Sequence, residues 1–253
     1  MSITKERFIA EYLDRIGYHG GTAPCLDTLV GLQRQHVYSV PFENLELLKP
    51  DFTPNLDRDH LFEKIVRQRR GGVCYELNTS FYNLLTALGF SACQISGRCR
   101  LDTPITGHVF TLVHLAEGDY TADVGYGDNA VPPLRIGGDE VVSAYHTTSW
   151  LEREDEDLMR LYQRRPGEEA VFQYQFSLTA RERADYMDTF RFSAAPGNTP
   201  FSERHICCRY TPKGKISLRR DVLTVEEDDR VVETRPIAPG EETDRCLKEY
   251  FDL

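Results

Sequence analysis

The spacing of apolar residues changes once along this chain, near residue 90, and that change constrains the fold more than any other feature. Before it the spacing is helical. Residues 5–16 carry Phe8, Ile9, Tyr12, Leu13 and Ile16 on one stripe, and Gly17 stops it. A second stripe from Leu26 to about Tyr38 holds Leu26, Leu29, Val30 and Gln33, with Asp27 or Thr28 as its expected cap. Asp59 is placed to cap a third helix bearing Leu61, Phe62, Ile65 and Val66, which should stop at Gly71-Gly72. A fourth runs from Cys74 through Leu77, Phe81, Leu84, Leu85 and Leu88 to Gly89.

After residue 90 the period falls to two. Val109, Thr111, Val113 and Leu115 alternate with Phe110, Leu112 and His114, which predicts a strand. Glu117-Gly118 reads as a two-residue hairpin turn, and Tyr120, Ala122 and Val124 return toward Gly125-Tyr126-Gly127. Further strand-like runs lie in 141–163 and 170–178, with the charged residues 152–157 as a solvated turn between strands. Ala180 to Phe190 is a candidate short helix. Residues 193–203 read as a loop, 205–235 hold short strands, and Asp244 to Phe251 close the chain as a helix. The expected class is α+β: helices first, an antiparallel sheet or small barrel second, a mixed tail third.

Composition narrows the function. In 253 residues the net charge is -10, which disfavours nucleic acid and anionic membrane as partners. No apolar run reaches the ~20 residues of a membrane helix, and the first residues lack the apolar centre of a signal peptide, so the cytoplasm is the expected compartment. The seven cysteines are odd in number, irregularly spaced and contain no C-x-x-C pair. His205, Cys207 and Cys208 suit alternating sides of a strand better than a tetrahedral site, so no metal is expected.

One cysteine stands apart. Cys74 follows Gly71-Gly72-Val73 and opens a helix, where unpaired N–H groups and the helix dipole favour a thiolate. A nucleophilic cysteine needs a base and an orienting group near it in space. His108, after Gly107 at the start of a strand, is the best base. Asp123, inside an otherwise apolar returning strand, is the best orienting acid. His36 and His114 read as structural. A turn at Glu117-Gly118 sets Asp123 opposite Leu112 and His108 opposite Gly127. The two side chains then share a face but lie about four residues out of step, ~13 Å, and a bulge or bend near Gly125 must close the gap.

These residues resemble the arylamine N-acetyltransferase family. Arg70-Gly71-Gly72-Val73-Cys74-Tyr75-Glu76-Leu77-Asn78 is similar to its nucleophile motif, Pro41-Phe42-Glu43-Asn44-Leu45 to its upstream motif, Thr106-Gly107-His108-Val109 to its histidine strand, and Asp123-Val124-Gly125-Tyr126-Gly127 to its aspartate-glycine segment, with Tyr126 where Phe is usual. The likeness is strong over residues 7 to about 135. It implies a cysteine-protease-like Cys74-His108-Asp123 core in a helical bundle over 1–89, an antiparallel β-barrel over 90–192 and an α/β lid over 193–253. It also implies acetyl transfer from acetyl-CoA to a small aromatic amine or hydrazine. No exposed apolar stripe stands out, so a monomer or weak homo-oligomer is expected. Phe42, Tyr126 and Phe201 would line the amine pocket, Thr106 and Gly127 would lie against coenzyme A, and Arg70 would pair with Glu43 and Asn44. An amide synthase or thiol hydrolase would use the same triad. A non-enzymatic binding protein would have a broken one.

Overall fold

The computed structural model describes residues 3–253. Four helical segments come first: α1 (Lys5–Ile16), α2 (Leu26–Ser39), α3 (Arg58–Leu61) running into a π-helical turn (Phe62–Arg67), and α4 (Cys74–Leu88). Gly17 and Gly89 end α1 and α4 as the spacing predicts. Two caps differ from expectation. Residue Cys25, not Asp27 or Thr28, holds the cap position of α2, so the two polar residues lie inside its first turn. Asp57 replaces Asp59 at the start of α3, and the helix stops at Gln68, short of the Gly-Gly pair, because the π turn ends it with a Gln68 N–H donating to the Glu63 carbonyl at 2.9 Å.

These helices pack through Phe8, Tyr12, Ile16, Leu29, Leu32, Ile65, Phe81 and Leu85. Arg15 is buried among them and donates to three main-chain carbonyls, Ile65 at 2.9 Å, Ser39 at 2.7 Å and Arg69 at 3.1 Å. It thereby satisfies acceptors that helix ends leave open, and burial lowers its pKa to about 10.

The middle of the chain forms a curled seven-stranded antiparallel sheet. Its strands are β2 (Ser91–Arg98), β3 (His108–Leu115), β4 (Gly118–Ala122), β5 (Val142–Ala144), β6 (Thr147–Arg153), β7 (Leu158–Arg164) and β8 (Val171–Ser177), in the order β4-β3-β2-β8-β7-β6-β5. Among the described residues no ladder joins β4 to β5. The free edge of β4 instead meets residues 134–136, where Thr121 N–H donates to the Leu134 carbonyl at 2.9 Å. One face is filled by Ile95, Phe110, Leu112, Leu161, Tyr174 and Phe176, with Val131 and Leu134 laid across them.

The β3–β4 hairpin corrects the expected register. Leu115 pairs with Gly118 and Thr111 with Ala122, so the turn is Ala116-Glu117 and Gly118 already belongs to β4. Ladder numbers sum to 233 rather than 235. The strand also ends at Ala122, so Asp123 lies just beyond it, not within it.

Helix α5 (Arg183–Ala194) begins and ends later than the sequence suggests. A short 3₁₀ turn (Pro200–Ser202) follows, then β9 (Ile206–Thr211), β10 (Gly214–Arg219), β11 (Val222–Glu227), β12 (Arg230–Pro236) and α6 (Glu241–Phe251). A short strand β1 (Phe42–Glu43) reaches the second sheet from the helical region, giving the order β1-β9-β10-β11-β12. Cys207 packs against α6 with Leu247 and Phe251, and Cys208 packs on the main core, so the pair does occupy opposite faces of β9.

The loop before α4 is tightly wedged. A Cβ added at Gly71 would overlap the Pro41 carbonyl oxygen and reach Glu43 Cγ at 2.8 Å. Relief requires movement of backbone, so Gly71→Ala is expected to cost about 2–4 kcal/mol. Urea unfolding checks this, and a wild-type midpoint would refute the close-approach reading.

Candidate active site

Cys74 is the first residue of α4. Phe42 forms a parallel bridge to Gly72, and the Glu43 N–H donates to the Gly72 carbonyl at 3.0 Å, which holds β1 beside the start of the helix. Arg70 clamps the same loop, donating to Glu43 Oε1 at 2.7 Å and 3.1 Å. Asn44, expected to share that contact, points elsewhere. Its Nδ2 donates to the Phe201 and Arg204 carbonyls, both at 2.7 Å, and its Oδ1 accepts the Ile206 N–H at 2.8 Å.

The structure brings Cys74, His108 and Asp123 together. His108 Nε2 donates to Asp123 Oδ2 at 2.7 Å, and both residues are 2% exposed. The other ring nitrogen is left for Cys74, whose thiol is close enough to help raise the His108 pKa. The corrected register explains the contact. With a sum of 233, His108 extrapolates to a position opposite Gly125, only two residues from Asp123. That is a diagonal separation of roughly 7 Å on one face, which these side chains span without a bulge.

Asp123 is held by four donors. Tyr174 Oη donates to Oδ2 at 3.1 Å; Asn78 Nδ2 at 2.9 Å and the Gly125 N–H at 3.0 Å donate to Oδ1. Asn78 also donates to the Val109 carbonyl at 2.7 Å and accepts the Val124 N–H at 2.8 Å. It stands one helical turn after Cys74, on the same face of α4. Gly125 presses on that turn: a Cβ there would lie 2.9 Å from Cys74 Cα and from Asn78 Nδ2.

Burial works against charge on either partner, yet each holds the other ionised. It lowers the pKa of His108, but Asp123 and Cys74 outweigh it and leave His108 well above the ordinary histidine value. It raises that of Asp123, but His108, Asn78 and the Gly125 N–H bring it below the ordinary aspartate value. His36 contrasts with this. It is buried against Tyr12 without a carboxylate, and burial lowers its pKa to about 3. His114 pairs at the surface with Asp119 at 2.8 Å.

An apolar cavity opens on Cys74, bounded by Phe42, Leu47, Val73, Phe190 and Phe201, with Ser193 beside them. The Phe42 and Phe201 rings lie 6.0 Å apart, edge on. Tyr126 is not on this cavity. Its ring packs against His108 at 5.1 Å and Tyr174 at 4.8 Å, and its hydroxyl donates to the Gln173 carbonyl at 2.9 Å. The extra hydroxyl expected at the cleft is therefore satisfied inside the protein. Gly127 lies with Tyr126 and Phe42 on a second small cavity. Thr106 is tied to α5 through Thr189 Oγ1 at 2.7 Å, and its carbonyl accepts from Tyr75 Oη at 2.9 Å.

Sequence reasoning overlooked Asn78, Tyr174, Phe190 and Ser193. Asn78 could have been found, since it stands four residues after Cys74. Tyr174, Phe190 and Ser193 carry no local signal. Among the described residues no group of three or more His, Cys, Asp or Glu is placed to hold a metal, and no helix is long and apolar enough to cross a membrane.

Two outcomes follow. Asn78→Ala removes three buried hydrogen bonds and leaves the Val124 N–H without its acceptor, so unfolding free energy should fall by about 3 kcal/mol in urea titration. For the ion pair the sign is set by both directions. The raised His108 pKa contributes stability below pH ~6.5, lost as pH rises through its folded value. The lowered Asp123 pKa contributes above pH ~3.9, lost as pH falls through its folded value. The stability gap between wild type and Asp123→Asn should therefore be widest between these limits; a gap that grows toward alkaline pH would refute the pair.

The N-acetyltransferase family profile matches residues 25–253. The chain is 32% identical to arylamine N-acetyltransferase of Escherichia coli over 248 residues, covering 96% of this chain and 87% of the relative. It is 31% identical to proansamycin X synthase of Amycolatopsis mediterranei over 237 residues, covering 89% and 90%. Its structure superposes on arylamine N-acetyltransferase of Salmonella typhimurium with a TM-score of 0.90 at 28% identity, covering 97% and 91%. It superposes on the Mycobacterium marinum enzyme in complex with CoA with a TM-score of 0.89 at 26% identity, covering 97% and 92%. This chain belongs to the arylamine N-acetyltransferase family and is an acetyltransferase enzyme.

Proposed function

We propose that Cys74 takes an acetyl group from acetyl-CoA and passes it to the nitrogen of a small aromatic amine or hydrazine in two half-reactions. The observation that carries this reading is the meeting of a helix-opening thiol, a buried His108–Asp123 pair and an apolar aromatic cavity at one point. His108 takes the Cys74 proton, and the thiolate attacks the thioester carbonyl. The tetrahedral intermediate collapses with loss of coenzyme A, which leaves with the proton from His108. Exchange of one thioester for another is nearly balanced, so a cysteine suits the acceptor role. The amine then attacks acetyl-Cys74, His108 receives its proton, and the thiol is regenerated. Asp123 orients the imidazole and supports its charge.

Phe42 and Phe201 would line one wall for the ring of the amine, with Phe190 from α5 beside them. Tyr126 would shape the pocket from behind His108. Thr106 and Gly127 would lie along the path of coenzyme A, the ligand held by the Mycobacterium marinum neighbour. The C-terminal sheet, reached through Asn44 and the 200–206 segment, would act as the lid of three units: 1–89, 90–192 and 193–253. The seven free thiols fit a reducing cytoplasm, and an acidic chain fits a small-molecule rather than a nucleic-acid partner.

The likeness to proansamycin X synthase supports a second reading, amide-bond closure through the same thioester. Intact-mass measurement separates the two. Wild type mixed with acetyl-CoA should gain one acetyl group, lost on adding an arylamine, and Cys74→Ser should gain none. An absent adduct, or one that survives Cys74→Ser, overturns the proposal. His108→Asn and Asp123→Asn should each slow acetyl transfer by at least ~10³-fold while the fold persists, as in other orienting pairs.

A further inference from the structure

The start of α4 rests on a buried charge cluster that acyl transfer, as described, leaves without a role. Glu76 stands two residues after Cys74 and is 1% exposed. Its Oε2 accepts the Val73 N–H at 3.0 Å, the reciprocal contact that fixes a helix start. Its Oε1 accepts from Lys64 Nζ at 2.6 Å, and Lys64 is itself only 3% exposed. Lys64 also reaches Glu46 Oε2 at 2.8 Å, and Arg70 ties Glu46 at 3.9 Å to Glu43 at 2.7 Å. Lys64 comes from the π-helical turn, a rare local geometry that is frequent at functional sites.

A carboxylate at this position has two opposed effects. It anchors the first turn of α4, and it sets a negative charge on the N–H of Val73, the residue that precedes the thiol. An isolated buried carboxylate would also be strongly disfavoured. A lysine on its outer oxygen works against both problems: burial leaves the Glu76 pKa above the ordinary glutamate value, Lys64 pulls it back down, and the lysine's positive charge offsets the carboxylate's field toward Cys74. Burial pulls the Lys64 pKa down, but Glu76, Glu43 and Glu46 outweigh it and hold Lys64 above the ordinary lysine value.

We infer that Lys64 is a positioning residue for the nucleophile: paired with Glu76, it holds the first turn of α4 in place and neutralises the charge that this cap would otherwise set against the Cys74 thiolate. This rests on Cys74 being the acyl carrier. It adds a device by which the fold separates anchoring of the helix from the electrostatics of the thiol.

The other titratable groups close to Cys74 are His108 from β3, with Asp123 behind it, Cys99 after β2 and its neighbour Tyr75. Those around Glu76 are Lys64, Glu43, Glu46 and Arg70. Substitutions at 64 and 76 leave the first set intact, so a change in thiol reactivity reads the buried pair.

The test is the pH profile of Cys74 alkylation by iodoacetamide, followed by peptide mass on the full-length protein. It needs no acyl donor, so its failure is distinct from failure of the acetyl-transfer reading. Lys64→Met should move the midpoint up by about one pH unit, and Glu76→Gln should move it down by a similar amount, the scale of one unit charge at this range in a partly screened interior. The double variant Lys64→Met/Glu76→Gln should return close to wild type, since Gln still accepts the Val73 N–H. In steady state, Lys64→Met should lower kcat for acetyl transfer several-fold and leave KM for the amine within twofold. Opposite shifts that cancel in the double variant support the inference. Unmoved profiles, or shifts of one sign in both single variants, overturn it and leave the cluster a purely structural one. Should Lys64→Met not fold, Glu76→Gln and the double variant carry the test: an acid shift in the first, reversed in the second, supports the inference, and its absence overturns it.

Discussion

Burial of the Asp123 carboxylate is the constraint on which the rest of the site depends. A carboxylate removed from water costs several kcal/mol unless donors surround it. Here four donors converge: His108 from β3, Tyr174 from β8, Asn78 from α4 and the Gly125 N–H from its own loop. Each donor is fixed to a different element, so satisfying one anion also sets how α4 lies on the sheet. Asn78 extends the arrangement by bonding the main chain of both β3 and the segment after β4. A fully satisfied buried network specifies one arrangement in a way that apolar packing alone does not.

Close backbone approach supplies the second constraint. Gly71 and Gly125 stand where the start of α4 and the loop before it meet Pro41 on one side and the segment after β4 on the other, and neither place has room for a Cβ. The two glycines therefore let Cys74 sit within reach of a base on another layer. The cavity above it is assembled from distant parts of the chain: Phe42 from β1, Val73 before α4, Phe190 from α5 and Phe201 from the 3₁₀ turn. None of these apolar residues is distinctive alone. Their convergence makes a water-poor pocket next to an ion pair, the setting in which electrostatic effects on a thiol are strongest.

Much of this was legible in the residues. Stripes at helical spacing located α1, α2 and α4, and the glycine stops of α1 and α4 were right, because both rest on local contacts. The shared face of His108 and Asp123 was also legible, since shifting a two-residue turn by one position at each end preserves parity. The register was not. Glu117-Gly118 has strong turn chemistry, yet the turn is Ala116-Glu117, and the pairing of His114 with Asp119 accompanies the true alignment. The π turn after α3 escaped notice for a similar reason. Lys64 is drawn to Glu46 and Glu76, contacts at long range that no local propensity encodes.

What the sequence by itself determined is the order of layers, the placing of one cysteine at a helix start, and the candidates for its base and acid. These follow from periodicity, from glycine and from charged residues in apolar runs, all properties of neighbours in the chain. Only the tertiary structure decided that His108 and Asp123 touch, that the Tyr126 hydroxyl goes to the Gln173 carbonyl, that α5 walls the cavity, and that Lys64 meets Glu76 in the first turn of α4. Each of these depends on residues a dozen or more positions apart, where the outcome is set by which buried groups find partners and not by the preference of any one segment.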